Sequence, residues 1–230
     1  MIAPSNELTI RLIVAVVAGL SLLAVLVFWP AGRLDWLEGW LYLGLSGATL
    51  FGNLLYLWRV NPTVIEHRLR MGPGTKRWDK IWGGFFTPVF LASYVIAGLD
   101  AVRFGWSAMP AGSWALGLAL WLAGNALLTW SMGVNPFFEK TVRIQTERGH
   151  RVIDTGPYRW VRHPGYLGFF GWCLSTPLLL GSWWALLPAL LSIVGLVIRT
   201  ALEDRTLRQE LSGYAAYATR VPYRLIPGVW

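Results

Sequence analysis

The sequence predicts an all-α, polytopic integral membrane protein with four transmembrane helices and a C-terminal transmembrane helical hairpin. Of its 230 residues, 55% are hydrophobic and only 14% are charged, and the mean hydropathy is +0.47. Long apolar segments recur along the chain, and most basic residues lie in the segments between them. A soluble fold of this size has too little interior to hide so much apolar surface, so the bilayer is the expected solvent.

Four apolar segments in the first 134 residues have about the 20 residues that an α-helix needs to cross the bilayer core. The first is longer than the apolar region of a signal peptide, which has about 7–15 residues, and no small-residue cleavage site follows it. We therefore expect it to be retained as a membrane helix. The four predicted spans are residues 9–29, 36–58, 81–99 and 113–133.

The apolar segment 165–198 is too long for one crossing of about 20 residues and long enough for two short ones. Pro177, Gly181 and Ser182 interrupt it near the middle, where we expect the helix to break. This pattern predicts a tight helical hairpin, followed by a soluble amphipathic helix over 199–218. The alternative is one long tilted helix, which places the C-terminal tail on the opposite face of the membrane.

The distribution of lysine and arginine favours the hairpin. Six of these residues lie in segment 59–80, six in 134–163 and five in 199–230, whereas 30–35 and 100–112 hold one each. With a hairpin, the three basic segments share one face, which the positive-inside rule assigns to the cytoplasm. The predicted topology places both termini in the cytoplasm, at a bacterial inner membrane or, in a eukaryote, at the endoplasmic reticulum.

Several classes of function are not supported by the sequence. The net charge is +8, but no nucleic-acid recognition module is present, so no nucleic-acid partner is expected. Cys173 is the single cysteine, and His67, His150 and His163 are scattered, so neither a disulfide within the chain nor a metal site is predicted. Glycine-rich nucleotide-binding loops are absent from the sequence, so a cofactor would need another architecture.

Three polar elements should meet at the basic face of the membrane: segment 143–166, the pair Arg199 and Glu203, and the tail 214–227. Arg199 and Glu203 are four residues apart and share one helix face. Taken alone, they are an ordinary ion pair, or Arg199 extends to the interface.

The residues before the hairpin are equally ambiguous when each is taken alone. His163 and Pro164 match an ordinary helix start, because proline is common in the first turn. Tyr158, Trp160 and Tyr166 match the aromatic residues that line membrane interfaces. Their combination is more specific than any one of them.

Four motifs follow one another in the C-terminal part of the chain: Tyr-x-x-x-Arg-His-Pro-x-Tyr-x-Gly at 158–168, Arg-x-x-x-Glu at 199–203, Tyr-x-x-Tyr at 214–217 and Val-Pro-x-Arg-x-Ile-Pro at 221–227. Together they resemble the isoprenylcysteine carboxyl methyltransferase family. That family is grouped with the membrane phospholipid methyltransferases. The resemblance covers about residues 135–230, and the first three spans match only in being apolar.

The resemblance implies a cytoplasmic pocket for S-adenosylmethionine, with S-adenosylhomocysteine as product. It divides the chain into an N-terminal transmembrane region on the substrate side, residues 1–134, and a methyltransferase core, residues 135–230. Arg199 would contact the substrate and Glu203 the cofactor. The other cofactor-binding residues implied by motif position are His150, Arg151, Val152, Ile153, Tyr158, His163, Pro164, Gly165 and Tyr166, with Gln145 as a further candidate.

The residue types suit these roles. Glu203 can accept charge-assisted hydrogen bonds from the ammonium group of the cofactor, and aromatic faces suit a sulfonium cation. The guanidinium of Arg199 can hold a carboxylate bidentately, and a carboxylate nucleophile needs no general base. An amine or a thiol must lose a proton, and no dedicated base is apparent. His163 fits a structural or cofactor-facing role better than that of a base.

The function expected from the resemblance is methyl transfer to a lipophilic acceptor that enters from the bilayer, such as the carboxylate of an isoprenylcysteine-like molecule. A phospholipid amine and a small thiol are alternative acceptors. A non-catalytic transporter or sensor is the alternative from another class. It is less consistent with the sequence, because the predicted spans are almost free of charged residues and the polar residues gather at one face.

Overall fold

The computed structural model describes residues 6–69 and 72–230, and within these residues all regular structure is helical. This confirms the all-α prediction. A π-helical turn, Leu99–Phe104, extends the fourth helix, and short 3₁₀ turns lie at Thr146–Arg148 and Gly156–Arg159. The helices are α1 (Asn6–Ala31), α2 (Leu37–Val60), α3 (Pro62–Arg68), α4 (Arg77–Gly98), α5 (Gly112–Val134), α6 (Pro164–Leu179), α7 (Leu186–Glu210) and α8 (Tyr214–Arg220).

Four segments of the described chain are long and apolar enough to cross a membrane: α1, α4 with its π-helical extension, α5 and α7. Helix α2, at 24 residues, matches the predicted second span in position but is not among these four. Helix α6 has 16 residues, about 24 Å at 1.5 Å per residue, which is shorter than a bilayer core of about 30 Å. The protein is a multi-pass membrane protein, and the number of crossings stays a prediction.

The predicted helical hairpin is formed by α6 and α7, which pack against each other across the turn 180–185. Gly181 has a φ of 76°, and the Ser182 N–H donates to the Pro177 carbonyl at 2.9 Å. This six-to-one bond is the hydrogen bond of a Schellman helix end. The break therefore depends on Gly181, whereas Pro177 lies inside the last turn of α6.

The predicted separate helix over 199–218 is wrong. Helix α7 continues from the membrane segment to Glu210, because no glycine or proline lies between Gly195 and Gly213. The helix ends before Gly213. This glycine, with a φ of 81°, is the N-cap of the short helix α8. Arg199 and Glu203 consequently project from the same continuous helix that forms the second arm of the hairpin.

Helices α5 and α6 are in direct backbone contact. A Cβ atom at Gly168 would lie 2.6 Å from the Gly124 carbonyl oxygen and 2.8 Å from the Leu128 nitrogen. A Cβ at Gly171 would lie 2.8 Å from the Leu120 carbonyl oxygen. Small residues permit this close helix packing in membranes, and they fix the first turn of α6 relative to the end of α5.

The hairpin turn is anchored at the other end of the molecule by a buried aspartate. Asp100, which is fully buried, accepts hydrogen bonds at Oδ2 from the hydroxyls of Ser107 and Ser182, each at 2.5 Å. The Trp184 N–H donates to the same oxygen at 3.2 Å. The π-helical turn after α4 and the turn between α6 and α7 are thereby held together.

Candidate active site

A cavity of about 700 Å³ lies where the predicted polar elements meet. Its walls come from the end of α3, the first turns of α4, the loop 135–163, the start of α6, the C-terminal half of α7, and α8. The three elements that the sequence predicted to converge therefore do so, and α3 and α4 add a wall that was not predicted.

Ten of the eleven predicted site residues line this cavity, as does Gln145. Pro164 is the exception, since it is buried in the first turn of α6 and does not form part of the cavity wall. The structure thus brings the predicted residues together, while their binding roles stay proposals. The ten are His150, Arg151, Val152, Ile153, Tyr158, His163, Gly165, Tyr166, Arg199 and Glu203.

His150 is a neutral hydrogen-bond donor at the cavity wall. The Gln145 backbone N–H donates to its Nδ1 at 3.3 Å, which leaves the ring proton on Nε2. The ring packs on Phe137, with centroids 4.6 Å apart. Burial lowers the pKa of His150 to about 4, so the imidazole is uncharged at neutral pH.

The hydroxyl of Tyr158 is committed to the end of α5. It accepts a hydrogen bond from the Asn135 amide at 3.1 Å and donates to the Ser131 carbonyl at 3.4 Å. The Tyr217 hydroxyl donates to the Tyr158 carbonyl at 2.7 Å, which ties α8 to the loop before α6. Burial raises the pKa of Tyr158, so its hydroxyl stays protonated.

Glu203 combines a fixed carboxylate oxygen with access to the cavity. The Tyr166 hydroxyl donates a short hydrogen bond to Oε2 of Glu203. The Oε1 atom lies 4.0 Å from His163 Nδ1, and the side chain is 21% exposed. The rings of His163 and Tyr166 stack, with centroids 5.8 Å apart. The first turn of α6 therefore orients a carboxylate that α7 provides.

Arg199 is held by an aspartate that sequence analysis missed. Its Nε donates to Asp79 Oδ1 at 2.9 Å, and its Nη2 donates to the Lys140 carbonyl at 2.7 Å. The guanidinium lies over the ring of Trp82, 4.5 Å from the centroid, and 5.3 Å from that of Tyr166. The available signal for Asp79 was a lone acidic residue within the basic stretch 76–80.

Asp204, next to Glu203, has a structural role. It is fully buried and is 2.7 Å from Arg162, 3.1 Å from Arg208 and 3.0 Å from Arg224. The Tyr214 hydroxyl donates to Oδ1 at 3.0 Å. This carboxylate joins α7, α8, the loop before α6 and the C-terminal tail. The two neighbouring acids thus have different roles. Glu203 lines the cavity, whereas Asp204 links the chain segments around it.

An apolar arm continues the cavity between α4, α6 and α7. It is lined by aromatic residues, and the Trp82 and Phe86 rings stack with centroids 4.3 Å apart. A Cβ atom at Gly83 or Gly84 would meet nothing within 4 Å, so this side of α4 is open. The residues that line the arm are Trp82, Phe86, Phe169, Trp172 and Leu196.

No group of three or more His, Cys, Asp or Glu side chains in residues 6–69 and 72–230 has an arrangement that suits a metal ion. The polar groups of the cavity include the accessible carboxylate of Glu203, two imidazoles, guanidinium and ammonium groups and aromatic rings. This set suits an organic ligand that carries both cationic and anionic groups.

The fold and the cavity define a multi-pass α-helical membrane protein whose hairpin arms carry a mixed polar and aromatic site. A sequence model of the isoprenylcysteine carboxyl methyltransferase (ICMT) family matches residues 116–209. The matched segment runs from α5 to the end of α7. The match begins inside α5, upstream of the predicted boundary at residue 135.

Curated relatives agree with the family match. Protein-S-isoprenylcysteine O-methyltransferase of Saccharomyces cerevisiae is 49% identical over 43 residues, which are 19% of this chain and 18% of the yeast protein. The protein of the same name from Rattus norvegicus is 28% identical over 149 residues, 60% of this chain and 49% of the rat protein. The chain therefore spans about half the length of the rat relative and less of the yeast one.

A solved structure shares the fold. The eukaryotic intramembrane Ras methyltransferase, an isoprenylcysteine carboxyl methyltransferase, aligns with a TM-score of 0.56 over 92% of this chain and 75% of its own. The sequence identity is 20%, so the likeness concerns the fold.

Proposed function

We propose that this protein is an integral-membrane methyltransferase that uses S-adenosylmethionine and acts on a lipophilic acceptor carboxylate, such as that of an isoprenylcysteine-like molecule. The observation that carries the proposal is the shared cavity of Glu203 and Arg199. These residues approach Tyr166 from the same helix, and an aromatic arm leads from them between the membrane helices.

The cavity residues fit the proposed cofactor, which supplies an electrophilic methyl group. Glu203, with one oxygen held by Tyr166, would accept hydrogen bonds from its ammonium group. His150 would donate from Nε2 to a carboxylate or a ring nitrogen, because its Nδ1 is already occupied. The rings of Phe137 and Tyr166 provide aromatic faces near these groups.

Arg199 would position the acceptor. Its side chain is fixed by Asp79 and the Lys140 carbonyl and lies between the Trp82 and Tyr166 rings. A guanidinium held in this way can orient a carboxylate oxygen toward the methyl group, and the surrounding rings exclude water. Alignment and desolvation are the main needs of such a displacement, since the leaving sulfide is already good.

A carboxylate acceptor is favoured because Tyr158, Tyr166 and His150 of the cavity wall are poor bases. The Tyr158 hydroxyl stays protonated, and the Tyr166 hydroxyl donates to Glu203. His150, with a pKa of about 4, is a weak base. A carboxylate is already deprotonated at neutral pH, whereas an amine or a thiol must first lose a proton.

We also infer that the cavity opens to the cytoplasm. The three basic segments 59–80, 134–163 and 199–230 each contribute residues to its wall. Excess lysine and arginine in short segments next to membrane helices is typical of the cytoplasmic side.

Calorimetric titration of the detergent-solubilised protein with S-adenosylhomocysteine tests the cofactor. We expect the wild type to bind and Glu203→Ala to bind at least about tenfold more weakly, because a charge-assisted bond is lost. Glu210→Ala is the matched control, since Glu210 lies on the same helix and pairs with Lys76 at the surface. Absence of binding by the wild type contradicts the methyltransferase proposal and favours a transporter or sensor.

Transfer of a labelled methyl group tests the acceptor. N-acetyl farnesylcysteine, phosphatidylethanolamine and a simple alkyl thiol represent the three acceptor chemistries. We expect label on the farnesylcysteine, released by mild base as expected for a methyl ester. Label that appears only on the phospholipid or the thiol excludes the carboxylate assignment while leaving the cofactor assignment in place.

A further inference from the structure

Arg68 is an arginine of the cavity wall to which the described residues supply no carboxylate partner. It is the last residue of α3, is half-buried, and lines the cavity. Its guanidinium carbon lies 5.4 Å from the centroid of the Phe138 ring. Within residues 6–69 and 72–230, no Asp or Glu forms an ion pair with it. The buried arginines of the cavity are paired: Arg143 with Glu139, Arg162 with Asp204 and Arg199 with Asp79.

The charged groups that affect Arg68 most are themselves positive. Burial and the charge of Arg199 lower the pKa of Arg68 to about 10, which still leaves it protonated at neutral pH. Burial and the charge of Arg68 also lower the pKa of Lys140. A half-buried cation beside other cations is stabilised when an anion joins it. The cluster Arg68, Lys140 and Arg199 therefore carries more positive charge than the carboxylate of Asp79 alone balances.

The first turn of α6 lies beside both arginines of this cluster. The Phe138 ring, over which Arg68 lies, is pressed against Gly165, where a Cβ atom would be 2.6 Å from the ring. Arg199 lies over the ring of the next residue, Tyr166. Arg68 and Arg199 consequently approach the same short stretch of chain from different walls, α3 and α7. An anion between them would also meet the positive end of the α6 dipole.

We propose that Arg68 binds the carboxylate of the methyl acceptor together with Arg199 and makes the enzyme selective for anionic acceptors. This inference rests on the proposed function, and it adds a residue from the N-terminal half of the chain to the site. The planar guanidinium matches a carboxylate bidentately. Arg199 already donates from Nε and Nη2 to Asp79 and the Lys140 carbonyl, whereas Arg68 forms no ion pair with the described residues.

The acceptor loses its negative charge in the reaction, and this affects its binding to Arg68. Methyl transfer forms a bond from a carboxylate oxygen to carbon and breaks the carbon–sulfur bond of the donor. The acceptor anion and the sulfonium cation become a neutral ester and a neutral sulfide. The attraction between Arg68 and the bound acceptor therefore falls when the ester forms. The ester product should bind more weakly than the carboxylate substrate and dissociate faster.

The test compares purified full-length wild type with Arg68→Gln, Arg68→Lys and Arg59→Gln, where Arg59 is an exposed arginine at the end of α2. Two ligands are titrated in the presence of S-adenosylhomocysteine: N-acetyl farnesylcysteine and its carboxamide. We expect wild type to prefer the carboxylate, and Arg68→Gln to bind it about 10- to 100-fold more weakly. Carboxamide affinity should change little, Arg68→Lys should recover part of the loss, and Arg59→Gln should match wild type.

Binding of S-adenosylhomocysteine alone separates the possible failures. If Arg68→Gln binds this nucleotide as tightly as wild type and also binds the carboxylate as tightly, Arg68 is not the anchor. If nucleotide binding falls while acceptor binding is unchanged, the arginine serves the cofactor carboxylate and the inference is overturned. If the wild type binds no nucleotide, the proposed function itself fails.

Discussion

Arg199 of α7 and Asp79 of α4 form an ion pair between residues 120 positions apart, with Nε and Oδ1 2.9 Å from each other. Their side chains are only 10% and 2% exposed. Asp79 also accepts a hydrogen bond at Oδ2 from the Val142 N–H at 2.8 Å. This carboxylate therefore fixes three parts of the cavity wall at once: the first turn of α4, the loop after α5, and the candidate acceptor-binding arginine.

Replacing Asp79 with asparagine should impair both stability and acceptor binding. The change leaves the buried Arg199 without its counter-charge, and breaking a buried pair costs about 3–5 kcal/mol. We expect a lower unfolding temperature and a raised KM for the acceptor. Asp35→Asn is the control, since Asp35 pairs with Arg33 at an exposed site. Thermal unfolding and steady-state kinetics measure the two effects, and equal behaviour of both variants contradicts this role of Asp79.

Asp204→Asn should loosen the region around the cavity. The substitution removes the counter-charge of Arg162, whose side chain is 1% exposed, and weakens the contacts to Arg208 and Arg224. By the same reasoning the expected loss is about 3 kcal/mol or more. Asp154→Asn, which breaks an exposed pair with Arg220, should cost at most about 1 kcal/mol. Limited proteolysis compares the two variants. If the C-terminal segment is equally protected in Asp204→Asn and Asp154→Asn, Asp204 has no structural role of this kind.

Gly168→Ala should separate α5 from α6. The added methyl would lie 2.6 Å from the Gly124 carbonyl oxygen, so the backbones must move. Overpacking of this kind costs about 1–3 kcal/mol. Gly52→Ala is the matched control, because a Cβ there meets nothing within 4 Å and alanine favours a helix. Thermal unfolding should show a decrease for Gly168→Ala and none for Gly52→Ala; unchanged stability of the first variant is inconsistent with this backbone contact.

His150 should make the protein sensitive to acid. Its pKa is about 4 in the folded state and about 6.5 in an unfolded chain, so folding favours the neutral imidazole. This contribution to stability is present above about pH 6.5 and is lost as the pH falls toward 4. We expect acidification from about pH 7 to pH 5 to lower the unfolding temperature less in His150→Gln than in wild type. Equal shifts in the two proteins count against a neutral, half-buried His150.

Local sequence patterns predicted the helices and the polar half of the site. The apolar segment 81–99 corresponds to α4 at Arg77–Gly98, and 113–133 to α5 at Gly112–Val134. The motif positions around 158–168 and 199–203 reach the same cavity because the hairpin brings α7 back beside the start of α6.

Contacts between distant parts of the chain were not predictable from those patterns. The partner of Arg199 is Asp79, and no local sequence feature distinguishes this buried aspartate from acidic residues at the surface. Arg68 likewise belongs to a basic segment that suggested only membrane orientation. The neighbouring Glu203 and Asp204 are alike in sequence, and only the packing of α7 shows that one lines the cavity and the other is buried among arginines.

The glycine contact between α5 and α6 also determines where the cavity can be redesigned. Moving α6 away from α5 would break backbone packing along several turns, whereas α4 meets α6 and α7 through side chains such as Trp82, Phe86 and Phe169. Substitutions along α4, beginning at Gly83 and Gly84, should therefore change the size of acceptor that the cavity can hold with the least disturbance of the helix packing. Natural diversification of acceptor preference in proteins of this design would be expected to concentrate on the same helix.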